Sequence, residues 1–433
     1  MILTEQNLGP IVMSKKPSVL VLGVEHPRDA ATIRSLAKQG IAVDVADDKQ
    51  PPTAMWRSSR YIRNKYVLPE NAEKAVRALE SLGLPTDTVL IPTNDQYLIL
   101  TSKHHERLSR CYRVAVPEWS VLDPLMDKIK CHALGREVGI DTPEHYHPSS
   151  LVELDEVLEK LDFEQSAYVL KIRMWDSGAA DALTLRRVVK GGADAGALKK
   201  ECLEIYARNG TFPVIEQVIA GSADRCIGVS MVVDKSHEPV VAYCVQRLKL
   251  HTYAKGFFKH PYELGANAYC ESVRDDEAIA LATRLVKHAR YSGAITVEFK
   301  RSPTDGRLKL IKGDARVVRA TRLSSALGLD IPTALYDVFS SDEKPERRPE
   351  TYREGVGWIW FEAYLYSLWK NRRETSMIGE IFRLLRRLPR IRAFAYFDWL
   401  DPLPSILLVT TAVGRLRRLE TRGLTGETRP ASG

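Results

Sequence analysis

Between residues 293 and 316 the chain reads Gly-Ala-Ile-Thr-Val-Glu-Phe-Lys, a turn, and then Leu-Lys-Leu-Ile-Lys-Gly-Asp-Ala-Arg. Apolar alternation on both sides of Ser302-Pro303-Thr304-Asp305-Gly306 predicts two strands joined by that turn. Glu298 lies inside the first strand between Val297 and Phe299. Lys312, Asp314 and Arg316 alternate along the second, so the two-residue period places them on one face. A carboxylate on one strand opposite charged groups on the next is how a sheet holds Mg²⁺ and a polyphosphate, because hard cations take oxygen ligands. A surface hairpin with cross-strand ion pairs gives the same pattern.

With 433 residues the chain has room for two or three domains. Its six cysteines (Cys111, Cys131, Cys202, Cys226, Cys244 and Cys270) show no CxxC or close Cys/His spacing. They read as reduced, mostly buried thiols of a cytoplasmic protein, not as disulfides or zinc ligands. Met1 to Lys16 lacks a continuous apolar core and reads as a loose tail, and Ser405 to Val413 is too short to span a bilayer. A net charge of +8 raises nucleic-acid binding. The basic residues are spread along the chain, with no zinc-finger spacing, RNP motif or basic heptads, so nucleic acid is disfavoured and anionic small molecules suffice.

In chain order, Ser18–Gly23, a helical spacing through Ala30, Ile33, Leu36 and Ala37, and Ile41–Ala46 form a βαβ unit, which implies a parallel, helix-covered sheet. It lacks GxGxxG, which argues against a dinucleotide site. A further strand, Val89–Pro92, runs into Thr93-Asn94-Asp95, which either line a ligand crevice or cap the next helix. Asp127 is placed to cap a helix carrying Lys128 and Lys130, ended by Gly139. The strand at 168–172 carries a single charge, Lys171, which implies either an anionic partner or an exposed face. Further strands are expected at 213–219, 227–233 and 240–246, and helices at 276–291 and 319–326. A polar linker follows Phe339, then aromatic helices from Trp358 to Trp369 and a basic amphipathic helix, Ile381–Arg392. Such a helix packs its apolar face on its own protein, or lies on an anionic membrane or nucleic acid; packing is the expectation here.

Taken in this order, Met126-Asp127-Lys128, Val169-Leu170-Lys171, Ile215-Glu216-Gln217-Val218-Ile219, Arg247-Leu248-Lys249 and Val297-Glu298-Phe299 resemble the ATP-grasp superfamily. The resemblance is greatest to its carboxylate–amine ligase branch, which includes D-aspartate-ligase-like proteins. It implies an α/β architecture: an N-terminal parallel α/β (pre-ATP-grasp) domain at 17–125, a two-lobed α+β ATP-grasp fold at 126–339, and a helical, basic C-terminal extension at 340–433. Lys128 and Lys171 would reach the phosphates of ATP. Glu216, Gln217 and Val218 would form the hinge whose main chain meets the adenine edge, with Asp224 at the ribose. Glu298 and Asp314 would hold Mg²⁺, and Arg316 and Lys249 would act at the chemical step.

Where the family reads Leu-Ile-Glu-x-Asn-x-Arg, this chain has Leu310-Ile311-Lys312-Gly313-Asp314-Ala315-Arg316. A lysine thus replaces a bridging glutamate, removing one metal ligand and adding a positive charge. The stretch corresponding to the phosphate-covering loop, Trp175–Ala180, has a single glycine. The resemblance implies an ADP-forming ligase that joins a small-molecule carboxylate to an amine through an acyl phosphate. The alternative it leaves open is a degenerate grasp that binds nucleotide without catalysis, as a partner or regulatory subunit. A homodimer is the default assembly for a soluble enzyme.

Overall fold

The computed structural model of the protein describes residues 16–48, 53–164, 166–171, 173, 188–189, 195–251, 266–370 and 376–408. The first sheet has five parallel strands in the order Lys65–Val67, Val43–Asp47, Val19–Leu22, Val89–Pro92, Arg113–Val114. Its central strand is apolar throughout and fully buried, as a parallel sheet covered on both faces requires. The chain leaves that strand through Gly23 at φ +103°, where a Cβ would come within 2.8 Å of the Thr93 hydroxyl. Only glycine permits this close approach of two strand ends. Asn94 caps the following helix, Asp95–Lys103, by accepting from the Tyr97 N–H at 2.8 Å. Asp95, the first residue of that helix, turns instead toward Arg316. The capping reading thus holds for Asn94, whereas Asp95 does not itself line the cleft described below and reaches it only through Arg316.

A four-stranded antiparallel sheet, His145–Tyr146, Val214–Gln217, Tyr168–Lys171 and Val188–Val189, forms the small lobe. Leu154, Leu158, Leu170, Leu198, Cys202 and Ile215 give it a hydrophobic core of its own with the helices Leu151–Lys160 and Ala195–Asn209. The helix Lys128–Glu137 leads into this lobe, capped by Asp127, which accepts from the Ile129 and Lys130 N–H groups.

The large sheet has seven strands: Leu308–Asp314, Gly293–Arg301, Cys226–Val233, Pro239–His251, Ala266–Val273, Gly357–Ile359 and Ile391–Phe394. The anticipated hairpin forms its edge, with Glu298 opposite Lys312 and Thr296 opposite Asp314. A register shift beyond Glu298 leaves Ile311 as the extra residue of a bulge.

The last two strands belong to the extension, and they differ from expectation. Trp358 lies on a strand and is fully buried, not on a helix. The basic stretch is a helix only over Met377–Arg387; Pro389 follows in a 3-10 turn, and Ile391–Phe394 is a strand. The region expected as one helix at 319–326 is a 3-10 turn, Arg319–Thr321, running into Arg322–Ala326.

The extension is also tied back to the first sheet. Arg34, fully buried, donates to the Asp401 carboxylate at 3.0 Å and to its main-chain oxygen at 3.0 Å. The Ser59 hydroxyl donates to the same carboxylate at 2.8 Å, and Asp398 takes Lys38 at 2.6 Å and Arg322 at 2.5 Å. All six cysteines are free thiols. Among the described residues no helix is long and apolar enough to cross a membrane.

Candidate active site

A cleft of about 220 Å³ opens between the small lobe and the large sheet. Eight cations line it (Arg28, Lys128, Lys171, Arg247, Lys300, Lys312, Arg316, Arg319) against three carboxylates, Glu216, Glu298 and Asp314. A surplus of five positive charges on low-dielectric walls is an electrostatic trap for a polyanion. Among the described residues, Glu216 Oε2 and Asn267 Oδ1 in the lining are buried without a hydrogen-bond partner, and Arg28 Nε, also without one, has an ion pair with Asp29 at 3.5 Å. Buried polar groups are almost always paired, so unpaired atoms in the lining leave the cleft with capacity to bind a ligand.

The elements place these groups for local reasons. Lys171 ends its strand and donates to one carboxylate oxygen of Glu216 on the neighbouring strand, pairing the two charges inside the lobe and leaving the other oxygen open. Lys128, in the first turn of its helix, lies 3.4 Å from the Arg173 main-chain oxygen. Beneath the cleft His132 is buried, and that burial pushes its imidazole down to about 4. The neutral ring donates from Nε2 to the Ile311 main-chain oxygen at 3.0 Å, a tautomer assigned from this contact, and so props the bulged strand.

On the large sheet Glu298 pairs with Arg247 and lies 3.8 Å from Lys312. Lys312 donates to Asp314 at 2.6 Å, and Arg316 is 3.8 Å from the other Asp314 oxygen. Burial alone would raise the Asp314 carboxyl, but Lys312 and Arg316 outweigh it and hold it well below the usual carboxylate range. Arg316 makes a bidentate contact with Asp95 at 2.6 and 3.2 Å, linking the sheet to the N-terminal domain. Arg28 enters from that domain too, and burial together with the Arg316 charge pushes its guanidinium down to about 10.

These contacts bear directly on the metal expected at Glu298 and Asp314. The Lys312 ammonium lies between the two carboxylates, where a divalent ion shared by them would have to sit. Mg²⁺ demands near-octahedral oxygen at about 2.0–2.1 Å and tolerates no second cation at that distance. Among the described residues no group of three or more His, Cys, Asp or Glu side chains could hold a metal. With Lys312 in place, the residues do not fit a protein-held divalent ion.

Of the residues singled out in the sequence, Lys128, Lys171, Glu216, Val218, Glu298, Asp314 and Arg316 line the cleft together. The other three do not. Gln217 turns its amide to the Ser166 hydroxyl at 2.9 Å. Asp224 is exposed on a 3-10 turn, where its carboxylate takes the Ser222 hydroxyl. Lys249 pairs with Glu380 of the extension at 3.1 Å. Alternation puts Arg247 and Lys249 on one face, but a register shift between them rotates the strand, leaving Arg247 in the cleft.

The hinge main chain is also partly committed. The Val218 N–H donates to Ala167 at 2.7 Å and the Gln217 N–H to Glu144 at 2.8 Å. The Ile219 N–H has no main-chain partner among the described residues, and Ile219 lines the cleft. Arg28 also lines the cleft, as do Lys300 and Asn267 and, on the 3-10 turn, Arg319, none of them anticipated from the sequence. For Arg28 the signal was its place just beyond the carboxyl end of a parallel strand, where ligand crevices form; the other three carried none. Trp175–Ala180 lies outside the described residues.

A five-stranded parallel domain, a small antiparallel lobe and a large, mainly antiparallel sheet closing on a cationic cleft define the ATP-grasp fold, and known structures of that fold align with this chain. The biotin carboxylase domain of Hydrogenobacter thermophilus 2-oxoglutarate carboxylase, solved with MgADP, ADP and bicarbonate, matches with TM-score 0.59 at 13% identity, over 79% of this chain and 74% of that one. N5-carboxyaminoimidazole synthetase from Staphylococcus aureus, complexed with ADP, matches with TM-score 0.57 at 12% identity, over 79% and 80%. An L-amino acid ligase from Bacillus licheniformis matches with TM-score 0.53 at 14% identity, over 78% of each chain. At such identities the likeness is one of fold. No protein-family model matches the sequence, and no curated protein matches it.

Proposed function

We propose that the protein binds ATP in this cleft and uses it to join a small-molecule carboxylate to an amine, releasing ADP and phosphate. One observation carries the reading: cations from the small lobe, the large sheet and the N-terminal domain converge on a single cleft that also holds orphaned buried polar atoms. Lys128 and Lys171 hold the phosphate tail, and the Ile219 N–H meets the adenine edge. The substrate carboxylate oxygen attacks the γ-phosphorus as its bond to the ADP oxygen breaks. The amine lone pair then attacks the acyl carbon, phosphate leaves, and the nitrogen gives up a proton. Arg316, fixed by Asp95, and Arg247, fixed by Glu298, stabilise charge on the transferring group from preorganised positions. Arg28 faces the same space from the N-terminal domain and is placed to receive the substrate carboxylate. The amide product and ADP, released in equal amounts with an acid–amine pair, are the expected result. A purified protein that binds ATP but releases no ADP with any such pair would refute the ligase reading.

A second reading rests on Lys312. An ammonium 2.6 Å from Asp314 and 3.8 Å from Glu298 serves as a built-in counter-cation, suited to holding nucleotide without metal and without turnover. Binding of ATP in EDTA, with no ADP release under any condition, is its signature.

A further inference from the structure

The helix Met377–Arg387 packs on the protein by Glu380, Arg387 and the half-buried Leu384. Glu380 is buried and pairs with Lys249 at 3.1 Å and Arg383 at 2.8 Å, while Arg387 lies 4.7 Å over the Tyr269 ring. Just beyond the helix, Arg390 meets Glu271 at 3.0 Å. The apolar residues Ile378, Ile381, Phe382, Leu385 and Leu388 point outward instead, with Ile378 69% and Phe382 63% exposed. At about 100° per residue these five fall within one arc of roughly 120°. Among the described residues, the expectation that this helix packs its apolar face on its own protein holds for Leu384 alone, and these five apolar side chains face outward.

Among the described residues of this helix and the strand after it, the exposed charges are all positive: Arg386 flanks the apolar face, and Arg383 and Arg390 are more than half exposed although paired with the buried acids Glu380 and Glu271. On the strand that follows, Arg392 and Phe394 are both exposed, and beyond it Trp399 is 84% exposed. A second copy of the chain docking through this helix would bring arginines against arginines, with no exposed carboxylate among the described residues of the helix to separate them. An anionic lipid surface complements the pattern: acyl chains accept Phe382 and its neighbours, headgroup phosphates take the arginines, and an interfacial tryptophan anchors the edge. We propose that the outward face of the Met377–Arg387 helix, with the exposed residues that follow it, is a docking site for an anionic phospholipid bilayer. The cleft then works at a membrane surface, and the helix lies in the interface without crossing it.

The test is co-sedimentation of the full-length protein with phosphatidylcholine vesicles, alone or containing phosphatidylglycerol, at low and high salt. The protein should pellet with the anionic vesicles and be released by salt. Phe382→Ser and Arg386→Glu should each weaken binding by about fivefold or more, while the melting temperature and ATP binding stay at wild-type values. Failure to pellet with either vesicle would overturn the proposal. So would pelleting that neither substitution affects. A concentration-dependent dimer, abolished by Phe382→Ser in a protein that ignores vesicles, would also overturn it and assign the face to a second copy.

Discussion

Replacing Lys312 with methionine keeps the length of the side chain and removes its charge. In the wild type that ammonium neutralises Asp314 at 2.6 Å and Glu298 at 3.8 Å. Without it, two carboxylates face the triphosphate, each left with one arginine, Arg316 and Arg247. A unit charge at about 4 Å is worth roughly 4 kcal/mol at an effective dielectric near 20. Lys312 is 29% exposed, and solvent screening over that opening reduces the figure to about 2 kcal/mol, close to a thirtyfold change in Kd. Isothermal titration of ATP in EDTA should therefore show wild-type binding and about thirtyfold weaker binding by Lys312→Met. Adding Mg²⁺ should leave the wild type nearly unchanged and restore most of the loss in the variant, because the vacated position lies between two acidic oxygens. If Lys312→Met binds ATP in EDTA as the wild type does, or if the wild type needs Mg²⁺ to bind at all, Lys312 is not the counter-cation and the reasoning fails.

Other outcomes follow from the same contacts. Asp401→Ala leaves Arg34 buried without its carboxylate and should cost about 3–5 kcal/mol of stability, read as a lowered urea midpoint. His132 is buried neutral with its imidazole pushed down to about 4 from 6.5, so the unfolded chain takes up the proton first as pH falls. Stability is then full above pH 6.5 and declines between 6.5 and about 4, by about 3 kcal/mol, a slope that His132→Gln should flatten in melts across that range. Lys171→Ala should weaken ATP binding tenfold or more, roughly the worth of one charge-assisted contact, whereas Asp224→Ala, on an exposed turn, should leave Kd within about twofold.

Local order was legible in the chain because it rests on short-range rules. The apolar run Val19–Leu22 announces a buried parallel strand, Asp127 caps its helix, and the Pro/Asp/Gly turn fixes the hairpin that pairs Glu298 with Lys312. That Lys312 stands where the resemblance implies a glutamate, with its charge consequence, was legible by comparison with that family's motif. What the sequence could not carry was register and partnership. One bulge between Arg247 and Lys249 sends the arginine into the cleft and the lysine to Glu380, and period-two reasoning has no means to foresee a shifted ladder. Arg28 meets Arg316 only because a helix start and a distant strand end converge across the domains. The amphipathic pattern of Met377–Arg387 identifies an apolar face but not its direction. Lys249 and Glu271, brought there by the large sheet, claim the polar side and leave Phe382 facing outward. Periodicity follows from a residue's own neighbours in the chain, whereas the choice of partner is made by groups more than a hundred residues away.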